Sequence, residues 1–137
     1  MRLGIAVMIA LFVASPALAQ VLIYDFPLDE DPGWEGEAQW AYGRPNGQGG
    51  SGGGGPDPTA GHTGEKIYGY NLYGDYPDNL TPTQWLMTEA LDFRGYTNVQ
   101  LRFWRWLGVE DSRYDNAWIQ VSNDGANWTT VWHNSAG

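Results

Sequence analysis

A chain of 137 residues has room for one domain, and 8 Trp, 8 Tyr and 19 Gly against 7 Lys and Arg make it the composition of an all-β protein. A formal net charge of −9 at pH 7 disfavours nucleic acid and anionic membrane surfaces as partners, and would attract cations. The sequence has no cysteine, which excludes disulfides and thiolate metal sites and leaves a hard cation such as calcium as the available metal support.

In chain order, Arg2 precedes an apolar run at 5–13 and then Ala17-Leu18-Ala19, the pattern of a signal peptide with an A-x-A cleavage site. Residues 1–19 are therefore expected to be a leader of bacterial type. The mature chain would start near Gln20 and be secreted or held at the cell surface. It would have no transmembrane segment once the leader is cleaved, since no second apolar run approaches membrane length.

Strand candidates follow at 21–26 (VLIYDF), 37–42, 66–70, 83–88 and 90–93. Gly69 inside the third of these predicts a bulge or a close backbone approach. The most strongly patterned strand is 98–107 (NVQLRFWRWL), followed by 117–122 and 128–133. An Asp124-Gly125 step between the last two predicts a hairpin. Strands at turn-punctuated intervals of this kind predict an antiparallel β-sandwich.

A Gly/Pro-rich stretch at 43–61 has the composition of a flexible linker. The piece between the leader and this stretch is too short to fold alone, yet it carries Tyr24, Phe26, Trp34 and Trp40, which need cover. The stretch is therefore expected to be an internal loop of one module spanning 20–137.

Alternation along 98–107 puts Val99, Leu101, Phe103, Arg105 and Leu107 on one face and Gln100, Arg102, Trp104 and Trp106 on the other. In 117–122, Trp118 and Gln120 lie opposite Ala117, Ile119 and Val121. A face built of Trp, Arg and Gln has two readings. It is covered by the rest of the domain, with Trp and Arg stacking as structure. Otherwise it is an exposed platform on which indole rings meet the C–H face of a sugar and Arg102 and Gln120 meet its hydroxyls. Arg102, Trp104, Trp106, Trp118 and Gln120 are the candidate ligand residues.

Catalytic patterns do not emerge. The sequence has no H-E-x-x-H, no G-x-S-x-G and no P-loop lysine, and His62 and His133 stand apart with no second ligand at metal spacing. Acidic loops are the better lead for a metal. Asp25 and Asp115 abut strands, and Asp57 closes the glycine stretch between two prolines, so these three are the candidate calcium ligands. Ser122 to Trp128 resembles an Asp-box hairpin one residue short, in which the Asp caps its own turn and the Trp anchors the hairpin.

Several pieces together resemble the MAM-like jelly-roll modules of secreted bacterial proteins. They are Tyr24-Asp25-Phe26, Asp31-Pro32-Gly33-Trp34, Trp40, Gly61-His62-Thr63-Gly64, Leu101-Arg102-Phe103-Trp104 and the run from Tyr114-Asp115 to Asp124-Gly125. Related modules accompany immune-inhibitor-A-type metallopeptidases and occur as cleaved-adhesin domains. The resemblance implies a concanavalin-like two-sheet sandwich, non-catalytic, used in adhesion or as an accessory to an exported enzyme. It also implies a calcium ion near the first strand, at Asp25, although Pro27 stands where MAM modules usually carry a Glu. Such modules continue with further strands beyond the position of His133, so the chain is expected to be a fragment whose parent could carry downstream domains. Three functions remain open at this point. They are an adhesion module recognising an extracellular glycan or protein, the N-terminal accessory piece of a secreted hydrolase such as a peptidase, and a structural spacer.

Overall fold

The computed structural model describes residues 20–50 and 55–134. Residues 1–19, expected to be a leader, and the centre of the glycine stretch lie outside them. The described residues are all-β, with no helix and six short strands: β1 (Glu35–Gly36), β2 (Trp40–Gly43), β3 (Ile67–Tyr70), β4 (Leu86–Met87), β5 (Trp118–Val121) and β6 (Thr129–His133). They pair antiparallel in three two-stranded sheets, β1 with β4, β2 with β3 and β5 with β6.

The β2–β3 pair joins the two sides of the glycine stretch. Trp40 faces Tyr70 and Tyr42 faces Tyr68 across the ladder. Both pairs bring their rings together, at 5.7 and 5.4 Å between centroids. Directly opposed aromatics of this kind are what fixes register in a small sheet. Gly69 sits in an unshifted register opposite Ala41, so no bulge forms there. It is the close approach that holds, because a Cβ on Gly69 would lie 2.6 Å from Leu72 Cδ2. Leu72, only 7% exposed, is with Pro45 one of two buried apolar side chains among the described residues. It is boxed between Gly43 and Gly69 of the two strands.

A relay of rings takes the place of a larger core. Phe93 meets Tyr24 edge-on, Tyr24 lies parallel to Phe26, Phe26 meets Trp34 edge-on, and Trp34 stacks on Tyr68 at 5.0 Å. The relay gives Tyr24, Phe26 and Trp34 their cover, and its partners Tyr68 and Phe93 lie beyond the glycine stretch. The flanks of that stretch are themselves packed. Asp57 N–H donates to Gly49 O, and Gly50 N–H donates to Asp75 Oδ1 at 2.7 Å. A Cβ on Gly49 would run into the Asp57 carboxylate.

Three expected strands do not form. Residues 21–26 and 90–93 have no ladder partner, and neither does 98–107. From 99 to 111 the chain runs without a turn or a bend, and 99–107 are all exposed. Alternation and β-branched or aromatic content equip a segment for a sheet, but a strand exists only when a second backbone supplies the hydrogen bonds. The hairpin at the C-terminal side forms as expected. Trp118 pairs His133 and Val121 pairs Thr129, with an irregularity between Ile119 and Gln120.

Candidate functional site

The segment 99–107 presents the most exposed aromatic surface among the described residues. Trp104 is 75% exposed and Trp106 57%. Gly95 and Gly108 bracket the segment, whose residues are all exposed. One face of Trp104 is nonetheless occupied: the His62 imidazole stacks on it, 3.7 Å between centroids and 9° from parallel. The turn at 61–64 thus backs the indole and leaves its other face open. Arg102 extends the same surface, with Nη2 donating to Gln100 Oε1 at 3.0 Å and Gln20 Oε1 at 3.3 Å.

Trp118 and Gln120 do not join this surface. The segment meets the hairpin through Arg105, whose guanidinium lies 3.7 Å from the centroid of the Trp132 ring. Trp132 pairs Ile119 across the ladder, and directly paired residues share a face. The contact is therefore on the Ile119 side, while Trp118, 42% exposed, pairs His133 on the other. Gln120 spends its amide on Thr130 Oγ1 at 2.9 Å. The sequence nominated Arg102, Trp104 and Trp106 but carried no signal for the contacts of His62, Arg105 and Trp132. His62 lies in a turn far along the chain from Trp104, and no local pattern connects the two.

Arg105 and Trp132 also border an open hollow of about 450 Å³, together with Leu107, Glu110, His133 and Asn134. Its wall is held by Asn134, which is 5% exposed. The Asn134 amide closes the hairpin on Ala117 in both directions, N–H to Ala117 O and Ala117 N–H to Oδ1. Its Nδ2 donates to Asp115 O and Glu110 O. Tyr76 secures the same loop, donating its hydroxyl to Asp115 Oδ2 at 2.7 Å and accepting from Glu110 N–H. Burial first, and the Asp115 bond second, push the Tyr76 phenol up to about 12.

The three candidate calcium ligands are not gathered into a cage. Asp25 is exposed, the Asp57 carboxylate lies against Gly49 and near Gly108, and Asp115 serves Tyr76. No group of three or more His, Asp or Glu among the described residues is placed to hold a metal ion. Calcium needs six to eight oxygens, and the residues nominated for it do not fit that requirement. The Asp-box-like turn carries out its capping role: Asp124 accepts from Ala126 N–H, Asn127 N–H, Asn127 Nδ2 and Ser122 Oγ. These donors, led by Asn127, hold its carboxyl far below the usual range. Trp128 does not anchor the hairpin, since it is exposed.

No helix among the described residues is long and apolar enough to cross a membrane. In comparisons with known proteins, no family model, curated protein or solved structure matches the chain.

Proposed function

We propose that the chain is an exported, non-catalytic binding module that holds an extracellular glycan against the open face of Trp104. The observation that carries this reading is the half-covered indole, backed by His62 on one face and free on the other. A backed ring keeps its orientation, so less side-chain freedom is lost when a ligand arrives. A sugar offers the C–H face such a ring takes, and Arg102 and Trp106 lie within two residues for its hydroxyls and second ring. The resemblance to MAM-like jelly-roll modules and the leader-like N-terminus support export and an adhesive role.

A glycan array probed with the purified chain, followed by titration of the best hit, tests the reading. A neutral oligosaccharide is expected to bind, and Trp104→Ala to weaken it at least ~10-fold, about 1.4 kcal/mol. No hit across the array, or a hit that Trp104→Ala binds as well as wild type, would overturn it.

A further inference from the structure

The segment 99–107 has everything a strand needs except a partner. It runs without a bend, contains neither Pro nor Gly, and makes no backbone hydrogen bond to another described residue. Val99, Leu101, Phe103, Trp104, Trp106 and Leu107 are exposed along it. An open row of N–H and C=O groups flanked by apolar side chains is a template for a second strand. We propose that this second strand is the same segment of a second copy, paired antiparallel about a two-fold axis at Phe103.

The register follows from symmetry and charge. A two-fold antiparallel pair keeps each residue on its own face, so the axis must fall on a residue. Centred on Arg102, two guanidiniums stand directly opposed, which is destabilising. Centred on Trp104, two indoles are opposed, each already stacked on its own His62, and the ladder runs on into Gly108, which lies against the Asp57 carboxylate. Centred on Phe103, every pair is complementary. Phe103 meets Phe103 of the second copy, Arg102 meets Trp104, Leu101 meets the Arg105 stem, Gln100 meets Trp106 and Val99 meets Leu107. Aromatic pairs stabilise opposed positions in a sheet, and Arg102 opposite Trp104 keeps the two guanidiniums apart. The pairing consumes backbone edges and leaves the faces free, so it stands independently of the glycan reading. It would place the Trp104 and Trp106 rings of both copies on one side of a shared ribbon.

The chain has no cysteine of its own, which allows a direct test. Sedimentation velocity of the purified chain is expected to show a monomer–dimer equilibrium. Single variants Leu101→Cys, Arg102→Cys, Phe103→Cys and Trp104→Cys are then oxidised under mild conditions. Phe103→Cys is expected to form an intermolecular disulfide at least ~10-fold faster than the other three, because only its Cα atoms come within bridging distance. A chain that stays monomeric at every concentration overturns the proposal and leaves the segment to some other partner. So does a dimer in which Arg102→Cys, Trp104→Cys or Leu101→Cys crosslinks as fast as Phe103→Cys.

Discussion

Asp124 holds a whole turn with one side chain. Its carboxylate takes hydrogen bonds from four donors within three residues, and they hold its acidity far from that of a free aspartate. A carboxyl whose folded pKa is depressed contributes stability above its unfolded pKa, about 3.9, and that stability is lost as pH falls through the folded value. The β5–β6 turn should therefore keep the Asp124 contribution at pH 4 and lose it only in stronger acid. Asp124→Asn should lower hairpin stability at neutral pH and remove this part of the acid dependence, read by circular dichroism through an acid titration. Identical acid profiles for the two proteins would refute the assignment. Tyr76 gives the opposite sign. A phenol raised to about 12 contributes below its unfolded pKa, about 10, and that contribution is lost as pH rises through 12. Tyr76→Phe is expected to cost about 1 kcal/mol at pH 7, the usual net worth of a hydrogen bond. It should also delete one late-titrating phenol from the tyrosinate absorbance curve. Loss of an early-titrating one instead would place Tyr76 in water.

Among the elements, the hairpin and the extended segment show what a sequence encodes locally and what it does not. The β5–β6 hairpin was legible because all its instructions lie within sixteen residues: two alternating runs and an Asp-Gly step between them. The strands β2 and β3 were legible as two short aromatic runs on either side of the glycine stretch, but their pairing was not, since no local signal names the partner. The segment 98–107 reads more strongly than either, yet forms no ladder, because no backbone among the described residues lies alongside to take its hydrogen bonds. The site divides the same way. Arg102, Trp104 and Trp106 stood out by residue type, whereas the stack of His62 on Trp104 depends on how a distant turn is placed. Asn134 shows how much a single residue at an element's end can bear without any sequence signal. It extends the hairpin by two bonds and ties down the 110–115 loop by two more. Asn134→Ala leaves the Ala117, Asp115 and Glu110 groups to find water, and is expected to cost about 2–3 kcal/mol in urea denaturation. Asn134→Asp should also be destabilising, since a carboxylate cannot donate to Asp115 O and Glu110 O. A change under ~0.5 kcal/mol in Asn134→Ala, the range of ordinary surface substitutions, would show that the loop stands without it.

Across the whole molecule, cover is scarce. No side chain among the described residues is fully buried, and Leu72 and Pro45 are the only buried apolar ones among them. The three small sheets share no continuous hydrogen-bonded layer. A two-stranded sheet alone is marginal in water, and added strands are what stabilise it. Any association that covers 99–107 should therefore contribute a large share of folding stability, and its effect should appear as mass action. If the second copy provides that cover, the thermal midpoint of the purified chain rises with protein concentration, because only the folded state pairs. A Pro at Phe103 removes an N–H from the centre of the ladder without touching a buried side chain. Phe103→Pro should therefore melt at the wild-type temperature in dilute solution and fail to gain stability as concentration increases. A wild-type midpoint that does not move across a hundredfold range of concentration would mean that the chain's stability owes nothing to self-pairing. The sparse cover inside a single copy would then have to be sufficient by itself.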